Sequence, residues 1–276
     1  LDCMDEMKLV QPNSNVQISK KTPSRFLKRA LEISRKGWGQ PAFYNTDEIV
    51  QELLNAGKTL LDARQGGSSG CVETGSWGNE AYILTGYMNI PKILQITLYD
   101  GLDTYSGKQL GLHLGNAEDF KSYDELLDAF SKQLNYFVEL KIRGNNVIEN
   151  IFAKELPAPF LSIVTNDCIK KGKDYNAGGA RYNTRYIQGT VTDMMAAIKY
   201  NVYDKKKFTM EELKKAMEDN FQGHEDIFSM VHDKTPKYGN DDDYADDIMQ
   251  TIFKLYRDTI TDRPTVCGGK YRVDML

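Results

Sequence analysis

The chain has 276 residues, 41% of them hydrophobic and 27% charged, with a formal net charge of −4. Its length allows one large domain or two small ones, and its balance is that of a globular chain. The acidic surplus argues against a general nucleic-acid surface, and no apolar run approaches the roughly 20 residues that span a bilayer.

Leu9–Asn13 and Val16–Ser19 read as two short extended segments. Thr22-Pro23 starts a helix with proline at its first position; Phe26, Leu27, Ala30, Leu31 and Ile33 give its apolar face, and Gly37 ends it. Gln40–Tyr44 reads as a strand. Thr46, with Asp47 and Glu48, caps the next helix, which buries Ile49, Val50, Leu53 and Leu54 and stops at Gly57.

Residues 66–75 hold four glycines, too many for a stable helix or an ordinary strand. Beyond them Ala81–Tyr87 is apolar and broken by glycine, so it fits strand and helix alike. Pro91 begins a short helix through Leu98, and 100–107 is loop. Ser122 opens a long amphipathic helix to about Ile142, and Pro157–Lys171 reads as another. Asn176–Asn183 is a glycine turn that feeds a helix over Thr192–Tyr200. It lacks the spacings of a nucleotide-binding loop. Helices follow at Met210–Asp219, Glu225–His232 and Asp243–Arg257. Lys270–Leu276 alternates like a strand with no closing turn, which suggests a piece of something larger.

Four cysteines (Cys3, Cys71, Cys168 and Cys267) are too scattered for a disulfide framework and form no CxxC zinc pair. The acidic N-terminus lacks a signal-peptide layout, and no Asn-x-Ser/Thr acceptor occurs; a reducing cytoplasm is the expected compartment. His113, His224 and His232 lie far from Cys71 in sequence, and His224-Glu225-Asp226 lacks the second histidine of a zinc helix. The acidic run Gly239–Asp247 lacks calcium-loop spacing and is expected to cap the helix that follows.

Cys71 and Glu73 carry the chemistry of the glycine-rich stretch. In an extended segment both face one side, roughly 6–7 Å apart, and can act on neighbouring atoms of one small substrate. A plain Gly/Ser-rich surface loop fits the same ten residues. Tyr87, with Tyr82 and Trp77, follows the loop and is a candidate substrate contact.

Gly70-Cys71-Val72-Glu73, Gln40–Asn45, Asn176–Asn183 and Lys237–Asp242 together resemble the glycyl radical enzymes of the pyruvate formate-lyase-like family. The resemblance covers nearly the whole chain in the family's order. It implies the central-to-C-terminal part of an α/β fold, a ten-stranded barrel of two antiparallel halves surrounded by helices, with the cysteine loop at its centre. Residues 1–276 would then be part of one catalytic barrel domain. Cys71-Val72 departs from the Cys-Cys pair of the acyltransferase branch. Thr74-Gly75 replaces the Pro-Gln of diol- and choline-type members, and the continuation through Tyr87 is similar to members that dehydrate trans-4-hydroxy-L-proline.

By the same resemblance Cys71 becomes a thiyl radical that takes hydrogen from the carbon beside the ring nitrogen. Glu73 moves a proton to the leaving hydroxyl, and Tyr87 contacts the substrate. No bound cofactor is implied. The radical sits on a glycine installed by an activating enzyme that uses S-adenosylmethionine and an iron–sulfur cluster. The family's Arg-Val-x-Gly-Tyr segment for that glycine is not found in this chain, and Gln188–Thr192 is shorter than in relatives. Beyond the substrate and the activating enzyme, the resemblance implies a homodimer in an anaerobic cytoplasm, with no nucleic-acid or membrane partner. Other expected readings are a diol dehydratase, a choline lyase, an arylacetate decarboxylase, or a non-catalytic piece that contacts other subunits. The 276-residue span by itself is expected to be inactive and to aggregate through its uncovered apolar faces.

Overall fold

The computed structural model describes residues 1–69, 71–190 and 193–275. An unanticipated helix α1 (Asp2–Met7) ends on Lys8 in the left-handed region, φ 54°. Strands β1 (Asn15–Ile18) and β2 (Ala42–Asn45) pair in parallel around helix α2 (Ser24–Ser34), whose Ala30 and Ile33 are buried. Pro23 is the residue before α2 and not its first. Helix α3 (Thr46–Asn55) is capped by Asn45, whose side chain accepts from the Asp47 and Glu48 amides, and not by Thr46 as the sequence suggested. A five-residue helix α4 (Leu60–Arg64), capped by Thr59, had no periodic signal because it is barely more than one turn long.

The glycine-rich stretch corrects the expectation of no strand. Strands β3 (Gly66–Ser69) and β4 (Glu73–Ser76) form an antiparallel ladder with Gly67 opposite Gly75. Strand β5 (Glu80–Met88) settles the strand-or-helix question, with Gly86 at φ 134° where its pairing slips. Helix α5 (Ile90–Leu98) follows as read, and a small hairpin, β6 (Leu102–Asp103) and β7 (Lys108–Gln109), occupies part of the predicted loop. Helix α6 (Tyr123–Glu155) runs 33 residues, well past Ile142. Its second half meets the sheet through buried Asn145 and Glu149 and leaves Val147, Ile148, Ile151 and Phe152 exposed.

Pro157–Lys171 is two short helices, α7 (Pro159–Val164) and α8 (Cys168–Lys171), broken at Asp167 with φ 75°. The predicted turn at 176–183 feeds a strand, β8 (Tyr182–Gly189), and not a helix. Helix α9 (Met194–Ile198) continues into a π-type turn at Lys199–Asp204. Helices α10 (Met210–Glu218), α11 (Glu225–His232) and α12 (Asp243–Ile260) match their predictions, and the Asp242 side chain caps α12. Strand β9 (Lys270–Met275) pairs with β8 and is not left open on both sides. Gly70, the Val191-Thr192 part of the shortened link, and Leu276 lie outside the described residues.

Strands β5, β8 and β9 form one parallel sheet with β8 in the middle. Alternation gives β8 two working faces. Arg185 and Ile187 point at the helices. Ile187 and Tyr271 join the main core with α5, α6, α9 and α12, and the Tyr256 hydroxyl donates to the Ile187 carbonyl at 2.9 Å. Arg185, 2% exposed, pairs with Glu149 of α6 at 2.8 Å and donates to the Ala81 carbonyl.

Removing one partner of a buried pair strands the other charge. Glu149→Ala should therefore cost about 3–5 kcal/mol, read from the midpoint of urea unfolding. Replacing both, Arg185→Met with Glu149→Leu, should recover most of that loss.

Candidate functional site

The hairpin β3–β4 has little side-chain mass of its own, and it is fixed from outside. A Cβ on Gly75 would stand 2.4 Å from the Tyr82 ring, and one on Gly67 would stand 2.0 Å from Gln17 Nε2. Both glycines are therefore needed for close approach, whatever their backbone angles. At the open end the Ser76 amide donates to Glu80 at 2.8 Å, and the Ser76 hydroxyl to the Asp62 carbonyl at 2.8 Å. Glu80 is itself held by a buried ion pair to Lys58 at 3.0 Å.

The other face of β8 holds the reactive end. Tyr186 donates its hydroxyl to the Thr74 carbonyl at 2.9 Å. Two residues on, Gln188 Nε2 donates to Glu73 Oε1 at 2.9 Å. The second Glu73 oxygen accepts from the Cys71 amide at 3.2 Å, and the Tyr44 hydroxyl of β2 donates to the Cys71 carbonyl. Cys71 lies in the turn between β3 and β4 and not in an extended segment, so the expected shared face does not form; the Glu73 carboxylate instead closes the tip of the hairpin on the Cys71 amide. Glu73 is 6% exposed, whereas Cys71 is only partly buried.

Burial pushes the Cys71 thiol up, and the Glu73 and Asp274 carboxylates push it the same way. A group so placed keeps its hydrogen at neutral pH, which does not suit a thiolate nucleophile. The three histidines pair with aspartates elsewhere: His113 with Asp100 at 3.0 Å, His224 with Asp219 at 3.0 Å and His232 with Asp233 at 2.8 Å. Among the described residues no group of three or more His, Cys, Asp or Glu is placed to hold a metal ion.

Tyr87 is 59% exposed and stands in register with Gln188, which in turn stands beside Asp274 of β9. One row of the sheet therefore carries Tyr87, Gln188 and Asp274 past Glu73. Sequence reasoning missed Tyr44, Tyr186, Gln188 and Asp274 as parts of the site. Their roles come from pairing across 27 to 115 residues, and the sequence shows only that Asp274 lies in an alternating, strand-like run. A cavity of about 300 Å³, lined by Thr85, Asn145, Glu149, Phe152 and Arg185 among others, lies on the helix side of the sheet, away from Cys71.

A family model described as pyruvate formate lyase-like matches residues 1–276. The trans-4-hydroxy-L-proline dehydratase of Clostridioides difficile is 67% identical over 280 aligned positions, covering 100% of this chain and 36% of that protein. The (2S)-3-sulfopropanediol dehydratase of Klebsiella oxytoca is 33% identical, covering 96% of this chain and 33% of the relative. Among solved structures, hydroxyproline dehydratase from C. difficile with trans-4-hydroxy-L-proline bound superposes with a TM-score of 0.91 at 67% identity, covering 100% of this chain and 35% of that one. The glycerol-bound B12-independent glycerol dehydratase of Clostridium butyricum follows at TM-score 0.85 and 35% identity, covering 99% and 35%. The chain spans about a third of the length of these relatives, and its α/β fold is a part of their larger barrel.

Tyr186→Phe deletes a buried hydroxyl and leaves the Thr74 carbonyl without its donor. The expected cost is about 1–3 kcal/mol. Amide hydrogen exchange should quicken across Gly66–Ser69 and Glu73–Ser76 while α5 and α12 keep their protection.

Proposed function

This chain belongs to the pyruvate formate lyase-like family, and from that premise we propose that it supplies the cysteine–glutamate hairpin of a glycyl radical dehydratase acting on trans-4-hydroxy-L-proline. The observation that carries the reading is the pairing at the hairpin tip: a thiol kept protonated, beside a buried carboxylate that holds the thiol's own amide at 3.2 Å. The 67% identity to a protein named for that substrate supports the choice of hydroxyproline.

A glycyl radical, installed outside this span by an activating enzyme that uses S-adenosylmethionine and an iron–sulfur cluster, supplies hydrogen-atom abstraction. The residues of this chain fit such chemistry, because Cys71 carries a retained S–H and faces carboxylates instead of cations. In this reading the Cys71 sulfur, as a thiyl, takes a hydrogen atom from the carbon beside the ring nitrogen. A proton passed through Glu73 to the hydroxyl on the neighbouring carbon lets it leave as water; the ring nitrogen gives up the proton that Glu73 delivers, and the product radical takes its hydrogen atom back from the Cys71 S–H. Tyr87 contacts the substrate from the adjoining strand. The same reading carries a homodimer and an anaerobic cytoplasmic setting.

The test uses the full-length protein, activated anaerobically, with trans-4-hydroxy-L-proline offered beside propane-1,2-diol, choline and arylacetates. Only hydroxyproline should lose water at a catalytic rate; preference for a diol would replace the substrate assignment. Cys71→Ser should abolish turnover and leave the glycyl radical signal in place. Glu73→Gln should lower kcat on the order of 10²-fold, and a near-wild-type rate would reduce Glu73 to a packing role.

A further inference from the structure

Glu73 is not free to choose its orientation. Gln188, 1% exposed at the centre of the sheet, has one amide nitrogen within reach of two carboxyl groups: Glu73 Oε1 at 2.9 Å and Asp274 Oδ2 at 3.4 Å. An amide nitrogen carries two hydrogens, so one group can tie both. Two acceptors in this cluster, Gln188 Oε1 and Asp274 Oδ1, are buried without a hydrogen-bond partner among the described residues. A buried lone acceptor is costly, and a proton on Asp274 turns one of the two into a donor.

The surroundings of Asp274 favour that proton. Burial raises its carboxyl, against the Gln188 N–H, to about 7, and Glu73 and Glu52 push it the same way. The groups around it are Cys71 and Glu73 from the hairpin, Glu52 from α3, Tyr186 from β8 and Tyr256 from α12. Arg272, on the same strand, acts on Glu52.

We propose that Gln188 and Asp274 are positioning residues for Glu73, forming a clamp that holds while Asp274 is a neutral acid and loosens when it ionises. The inference rests on the reading of Glu73 as the proton-transfer residue. With Asp274 neutral, the Gln188 N–H is available to Glu73. Once Asp274 loses its proton to solvent, a second anion stands across the same amide, draws it towards itself and repels the Glu73 carboxylate. The sign follows from the raised carboxyl: the clamp is complete below about pH 7 and is lost as pH rises through that value. Stability moves the same way. An ordinary aspartate titrates near 4 in the unfolded chain, so the folded protein binds the extra proton between about 4 and 7 and loses stability across that window as pH rises.

The full-length protein, activated at one pH and then assayed from pH 5.5 to 9 with hydroxyproline, tests this. The wild type should show a falling kcat limb centred near 7, and Asp274→Asn should lack it, with Asp274→Glu restoring a limb. Gln188→Leu should lower kcat roughly tenfold or more while KM moves less than about twofold, the mark of misplaced chemistry. If Asp274→Asn fails to fold, Gln188→Leu and the infrared titration of the wild-type buried carboxyl decide: full kcat in that variant, or a carboxyl that titrates near 4, overturns the proposal. A limb unchanged in Asp274→Asn overturns it as well. Glu73→Gln assayed alongside separates the causes. If that variant is inactive while the limb persists in Asp274→Asn, only the clamp fails; if it is fully active, the role of Glu73 fails and the clamp fails with it.

Discussion

Tyr186 and Gln188 stand two residues apart on β8, hence on one face of the sheet, and both direct their polar atoms at β4. That pairing is the constraint on which the site depends. Three of the eight ladder residues in the hairpin are glycine, so the hairpin has no core with which to hold its own shape. It can approach Tyr82 and Gln17 closely because it lacks side chains, and it must then borrow its rigidity from a neighbour. Isolated two-stranded ladders are marginal in water. Docked on β8, with Glu80 and Lys58 at one end and Tyr44 at the other, this one gains the fixed tip that puts a thiol and a carboxylate side by side.

Holding β8 still then becomes a problem for the other face. Arg185 is anchored by Glu149 and by backbone carbonyls, and Ile187 is sealed by α12 through the Tyr256 hydroxyl. The long helix α6 serves two partners along its length. Its first half buries Leu126, Phe130, Leu134 and Val138 in the apolar core, and its second half presents Asn145 and Glu149 to the sheet. The Asn145 amide donates to Thr85 at 3.0 Å. A central strand with polar residues on both faces is expensive unless each is matched, and most of these are. Among the atoms left unmatched are Gln188 Oε1 and Asp274 Oδ1, which lie next to the chemistry.

Much of this was legible in the sequence, and what was hidden has physical reasons. Helices α2, α3, α5, α10, α11 and α12 declared themselves through apolar period and caps. Strand β8 did not: no element was read between the turn at 176–183 and Thr192, and the partners of Thr184, Arg185, Tyr186 and Gln188 (Glu80, Glu149, Thr74 and Glu73) lie far off in sequence. The far end of α6 keeps a helical apolar spacing at Val147, Ile148, Ile151 and Phe152, but these are exposed and the face it buries is polar, at Asn145 and Glu149. Asn45 took the cap from Thr46 because its side-chain oxygen accepts from both the Asp47 and Glu48 amides from the last residue of β2. Local rules fail here where tertiary hydrogen bonds replace apolar burial, and that is also where the candidate site lies.

The most direct measurement is a crystal structure of the full-length protein with trans-4-hydroxy-L-proline bound. The account predicts the Cys71 sulfur in van der Waals contact with the ring carbon beside the nitrogen. Glu73 should lie about 2.6–3.2 Å from the substrate hydroxyl and should still be held by Gln188. A substrate bound away from the hairpin tip, or a Glu73 carboxylate turned from the hydroxyl with Gln188 released, would contradict it.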